Sequence, residues 1–109
     1  MDANPLETTV APDGEVTRIE LRGRIDREGD RALADAYAQA VDLGKPTIEL
    51  DFTAVDYINS TGIALIVRLL ADARRDRRVV RARGLTEHYR EIFRITRLSD
   101  YITLLDDAA

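Results

Sequence analysis

Thr47-Ile48-Glu49-Leu50-Asp51-Phe52, then Asn59-Ser60-Thr61-Gly62, then Ile63-Ala64-Leu65-Ile66-Val67-Arg68-Leu69-Leu70, is the passage whose reading decides the fold. In its first part Ile48, Leu50 and Phe52 alternate with Thr47, Glu49 and Asp51, the period of a strand with one covered face. In its last part Ile63, Ile66, Val67 and Leu70 recur at helical spacing. A strand followed by a helix is the repeating unit of an α/β protein. Between the two, Asn59 to Gly62 sets small hydroxyl residues where a helix begins. The first N–H groups of a helix lack intrahelical partners and the macrodipole is positive there, so the site suits an anion or a phosphorylated serine. The same residues also suit an N-cap followed by a small turn residue.

Working outward, Leu6 to Val10 and Val16 to Arg24 flank the turn formers Pro12-Asp13-Gly14, which predicts an opening hairpin. Ile19, Leu21 and Gly23 alternate with Arg18, Glu20 and Arg22 in the second strand. A helix is expected from Glu28 to Leu43, with Leu33, Tyr37, Ala40 and Val41 on one face and Gly44 and Pro46 ending it. The helix opened by Gly62 runs to about Arg74, Val79 to Arg83 forms a fourth strand, and Gly84 closes it. Thr86 then caps a helix carrying Tyr89, Ile92 and Phe93, and Tyr101 to Leu105 reads as a last strand. The order ββαβαβαβ predicts a mixed α/β sheet with an antiparallel N-terminal hairpin and helices packed against it. In the helix after Gly62, Ile63, Ile66, Val67 and Leu70 should cover the sheet, while Leu65 and Leu69 lie on a flank. Two readings of that flank stand open: a neighbouring helix covers it, or it forms an exposed apolar patch beside Ser60 that marks a partner site.

At 109 residues, with 45% hydrophobic and 33% charged, the chain is expected to be one domain over residues 1–109. Cysteine is absent, which excludes disulfides, thiolate zinc sites and a cysteine nucleophile. No apolar stretch reaches spanning length and Met1 to Pro5 carries no leader pattern, so the expected location is the cytoplasm, without membrane insertion. The net charge of -4 argues against nucleic-acid binding, although Arg74, Arg75, Arg77, Arg78, Arg81 and Arg83 crowd one segment. That cluster fits either a solvated helix end, turn and strand face or an acidic partner surface. His88 is the only histidine and no calcium-loop spacing occurs, so neither metal nor cofactor is expected. Asp51 and Asp56 flank the end of the third strand and invite comparison with a phosphate-accepting receiver domain; the plainer reading gives Asp51 to the strand edge or turn and Asp56 to the following loop. That comparison lacks an early acidic pair and a late lysine, since Lys45 precedes the third strand. No nucleophile, base and electrophile converge, so an enzyme is not expected.

Ile48 to Val67 resembles the STAS domain of anti-sigma-factor antagonists, whose hallmark is a strand, a short loop and Asp-Ser-Ser/Thr-Gly-hydrophobic opening a helix. Leu21-Arg22-Gly23-Arg24-Ile25-Asp26 is similar to the family's Gly-x-hydrophobic-Asp entry to its first helix, and the order of elements agrees over nearly the whole chain. The resemblance implies a domain that binds an anti-sigma factor which is also a serine kinase, is released when phosphorylated, and is restored by a phosphatase. It implies Ser60 as phosphoacceptor, Thr61 as the second hydroxyl and Gly62 as the glycine of close backbone approach; Ile63 and Leu65, the apolar neighbours of this turn, are expected among the contacts of the complex. Asn59 stands where the family usually has aspartate, losing a charge and keeping the capacity to cap. An alternative within the same fold is a STAS subunit that acts as a scaffold in a signalling assembly, or as soluble partner of a lipid or anion transporter.

Overall fold

The strand and helix periods of the sequence assemble around one sheet. A computed structural model describes residues 4–105, in which β1 (Glu7–Asp13), β2 (Val16–Ile25), β3 (Thr47–Ile58), β4 (Val79–Arg83) and β5 (Thr103–Leu104) lie side by side in that order. β1 pairs antiparallel with β2 through a two-residue link in which Gly14 takes φ +64, and the other neighbours pair parallel. The crossovers carry α1 (Asp30–Asp42), α2 (Ser60–Arg75) and α3 (Glu87–Ile95). Each crossover steps one strand in the same direction, so the right-handed rule sets all three helices on one face. Ile19, Leu21, Ile48, Leu50, Phe52 and Val80 are buried on that face, where Phe93 of α3 meets Phe52 edge-on at 6.0 Å.

Element boundaries depart from the sequence reading where the periodicity breaks. β3 continues to Ile58 instead of ending at Phe52, so Asp56 lies in the strand and not in a loop. Its pairing with β2 shifts register between Glu20 and Arg22 and again between Gly23 and Arg24; these bulges blur the alternation from which the strand was read. β1 extends through Pro12, whose missing N–H an edge strand tolerates. A 3₁₀ turn, Arg27–Gly29, precedes α1, and another, Leu98–Asp100, shortens β5 to two residues.

α2 is rotated relative to the expected stripe. Its buried side is Gly62, Leu65, Ile66, Leu69, Leu70 and Ala73, while Val67 is 45% exposed and Ile63 is half-buried. Leu65 and Leu69 border a cleft shared with Leu33 and Tyr37 of α1, so the neighbouring helix covers the flank. Tyr37 also ties the two helices, donating its hydroxyl to Asp76 at 2.7 Å.

The opposite face of the sheet carries no helix among the described residues, and its centre is a charge cluster. Glu49 is fully buried and accepts from Nε of Arg18 at 3.2 Å, Arg81 at 3.0 Å and Arg83 at 2.8 Å. Burial works to raise the Glu49 carboxyl, but the arginine bonds and charges, Arg83 foremost, outweigh it and hold the group below the usual carboxylate range. A carboxyl depressed in the folded state contributes stability that is present above its unfolded pKa and lost as pH falls through the folded value. Glu49→Gln is therefore expected to be about 2 kcal/mol less stable near neutrality, the arginines being partly solvated. Its melting temperature should also fall less steeply than the parent's between about pH 5 and pH 3. Thermal melts across that range check this, and parallel curves would place the acid sensitivity on other carboxylates.

Candidate functional site

The turn read as decisive in the sequence is built by Asn59. This residue is extended, at φ -94 and ψ -177, and its Oδ1 accepts from the Gly62 N–H at 2.8 Å, making Asn59 the N-cap of α2. Its carbonyl accepts from Ile63 N–H at 2.9 Å and its own N–H donates to the Ile25 carbonyl at 3.3 Å. Of the two roles open to this turn, capping falls to Asn59, which leaves the hydroxyl of Ser60 uncommitted. Ser60 is the first helical residue and is exposed, as is Thr61. Their N–H groups are among the donors a helix start leaves unpaired, and the first turn of α2 holds no acidic residue.

Gly62 fixes where this helix start sits. It is buried against the end of β2, and a Cβ built on it would lie 2.0 Å from the Ile25 carbonyl oxygen. The close approach is thus backbone to backbone inside the domain. Ile25 also joins the second motif. Gly23 at φ +97 lets the Asn4 carbonyl accept from Arg24 N–H at 3.0 Å, and Asp26 caps the 3₁₀ turn by accepting from Glu28 N–H at 3.1 Å. The hydrogen bond from Arg24, at 2.8 Å, is the main cause that holds the Asp26 carboxyl below its ordinary range. The two sequence motifs therefore meet at one residue, the last of β2.

Tyr89 was read in the sequence only as part of a helix face. Its hydroxyl accepts from the Ile58 N–H at 2.9 Å, so α3 braces the residue immediately before the cap. The only sequence signal for it is its place three residues after Thr86, whose hydroxyl accepts from the Tyr89 N–H at 3.3 Å. His88 is exposed and packs beside Tyr89, with ring centroids 5.0 Å apart.

Outward from Ser60, the exposed side of α2 presents Thr61, Ala64 and Val67, with Ile63 half-buried beside them. Leu65, expected among the partner contacts, is only 8% exposed and lies toward α1, beneath the exposed side of the helix. Among the described residues no cluster of three or more metal-ligating side chains occurs, and no helix is long and apolar enough to cross a membrane.

Replacing the cap tests this geometry. Asn59→Ala is expected to cost about 1 kcal/mol by leaving the Gly62 N–H unsatisfied, whereas Asn59→Asp should match or slightly exceed the parent through the helix dipole. Chemical denaturation measures both; equal stability of all three proteins would contradict the cap.

A mixed sheet with every helix on one face and a capped hydroxyl turn opening the second helix defines the STAS class. The chain belongs to that family: the model described as "Mlab, STAS domain" matches residues 8–106. Solved anti-sigma-factor antagonists share the fold. One from Mycobacterium paratuberculosis superposes with a TM-score of 0.73 at 23% identity, covering 94% of this chain and 87% of that one. SpoIIAA in its unphosphorylated form gives 0.70 at 16% identity, covering 93% and 89%. The phosphorylated form of SpoIIAA, a Bacillus cell fate determinant, gives 0.61 at 17% identity, covering 92% of each chain. Among curated proteins none matches the sequence significantly.

Proposed function

We propose that this STAS domain is a phosphorylatable anti-sigma-factor antagonist, a cytoplasmic binding module whose contact with an anti-sigma factor is governed by Ser60. The observation that carries the reading is that Ser60 is exposed at the first position of α2 while Asn59 does the capping. A serine in that position can take a phosphoryl group without losing a bond the fold needs. The partner is a serine kinase that transfers the γ-phosphoryl of ATP to the Ser60 hydroxyl with release of ADP and a proton, and a phosphatase restores the hydroxyl by hydrolysis, releasing inorganic phosphate.

The added phosphate carries roughly -1.5 to -2 charges at pH 7, which the free N–H groups and dipole of α2 tolerate in the isolated domain. In a complex that covers Thr61, Ile63 and Ala64, the same charge must be desolvated or opposed by the partner. Each ~1.4 kcal/mol lost weakens binding tenfold, so the complex dissociates while the domain stays folded. Asn59 leaves the phosphate without an adjacent carboxylate at the cap. Incubation with the cognate serine kinase and ATP, followed by peptide mass measurement, tests the reading. Modification at Ser60 supports it; an unmodified chain points to a STAS subunit that works as a scaffold or transporter partner.

A further inference from the structure

The arginines that crowd the end of α2 are not explained by a switch at Ser60 alone. A groove of about 420 Å³ runs between the C-terminal half of α2 and the connection from α3 to β5, lined by Val67, Leu70, Ala71 and Tyr101 with Arg74 and Arg97. It shares Leu70, Arg74 and Tyr101 with a second hollow of about 600 Å³ that includes Arg78 and Asp100. Val67 is 45% exposed and Tyr101 is 56% exposed, and the two line one groove instead of standing singly on the surface. The Arg74 guanidinium lies 5.6 Å from the Tyr101 ring centroid and makes no ion pair with a carboxylate among the described residues. Arg78 Nε is buried without a partner while its Nη1 donates to the Asp76 carbonyl at 3.4 Å, and Arg97, at φ +66, pairs with Asp100 at 3.0 Å. The lining thus sets three guanidinium groups against one carboxylate, in a chain whose net charge is -4.

We infer that this groove seats an acidic amphipathic helix of the partner, its apolar side on Val67, Leu70 and Tyr101 and its carboxylates toward Arg74, Arg78 and Arg97. An apolar floor with charge along its sides is the form that receives a helix through anchors spaced three and four residues apart. A second copy of this chain is a poorer occupant, because a two-fold contact would bring the same guanidinium groups toward each other. Ser60 precedes Val67 by seven helical residues, about 10 Å along α2, so a partner helix lying in the groove extends to the hydroxyl turn. Acidic side chains there would repel a phosphate on Ser60. This coupling rests on the proposed switch; the groove and its charge do not.

The test uses two synthetic amphipathic peptides with one apolar pattern, flanked by glutamate in one and lysine in the other, titrated into the whole protein with amide shifts followed by NMR. The glutamate peptide is expected to bind and to shift Val67, Ala71, Arg74 and Tyr101, with the lysine peptide at least tenfold weaker. The double variant Arg74→Glu and Arg97→Glu should lose the glutamate peptide about tenfold and gain the lysine peptide, a reversal that an unfolded variant cannot give. Equal binding of both peptides, no binding, shifts confined to the Arg81 and Arg83 face, or self-association through the groove would each overturn the inference. If the glutamate peptide maps to the groove and binds Ser60→Asp as tightly as the parent, the groove stands and its coupling to Ser60 fails. If Ser60 is phosphorylated by its kinase while neither peptide binds, the switch stands and the groove proposal fails.

Discussion

Gly62→Ala is expected to lower the stability of the domain by about 3 kcal/mol or more, the largest effect of any single methyl group at this site. The added Cβ would fall 2.0 Å from the Ile25 carbonyl oxygen and 2.7 Å from its carbon. Both are backbone atoms at the end of β2, so relief requires α2 to lift from the sheet. Lifting it would also stretch the Asn59 N–H bond to the same carbonyl and unseat Leu65, Ile66 and Leu69. Alanine's better helix propensity returns at most about 1 kcal/mol. Against a typical domain stability of about 5–15 kcal/mol, the variant should be largely unfolded at moderate temperature. Gly44→Ala is the control: its φ of +72 is strained for alanine, but nothing lies within 4 Å of a Cβ there, so about 1 kcal/mol is expected. Denaturant midpoints rank the two. A Gly62→Ala loss no larger than that of Gly44→Ala would contradict the close approach.

Ser60→Asp should separate stability from binding. The side chain at the first helical position faces solvent beside unpaired N–H groups, and a carboxylate there gains about 0.3–1 kcal/mol from the dipole. The isolated variant is thus expected to melt at or slightly above the parent's temperature. Its affinity for the proposed anti-sigma partner should fall at least tenfold, since the charge enters the contact surface of Thr61, Ile63 and Ala64 and must be desolvated there. Phosphate carries more charge than aspartate, so the enzymatically modified protein should bind more weakly still. A variant that loses stability and binding together would mean that Ser60 holds the fold together.

The strand and helix order was legible because β2 and the first half of β3 alternate cleanly and because Gly44, Pro46, Gly84 and Thr86 punctuate the chain. The second half of β3 was not, because two register shifts against β2 set Thr53 to Tyr57 out of phase. The face of α2 was misread for a related reason. Helical spacing shows how wide an apolar arc is, but the partners on either side decide which part is covered. Here α1 takes Leu65 and Leu69, and Val67 turns outward.

At the site, the turn and its position were readable from Asn59 to Gly62, but the division of labour within it was not. Backbone geometry alone distinguishes an N-cap from the residue after it, and the fold brings Gly62 against Ile25, far off in the chain. The Tyr89 brace and the Glu49 cluster join residues more than thirty positions apart, |i−j| being 31 for Ile58 and Tyr89 and 31 to 34 for Glu49 and its arginines. No local pattern encodes such pairings.

The central claim is that a phosphate on Ser60 controls whether this surface is available to its partner. Calorimetric titration of the serine-kinase partner with unmodified protein, with protein phosphorylated at Ser60, and with Ser60→Ala tests it most directly. The account predicts tight binding of the unmodified protein and of Ser60→Ala, even after incubation of the latter with kinase and ATP, and at least tenfold weaker binding of the phosphorylated form. Equal affinity of the phosphorylated and unmodified proteins would contradict it.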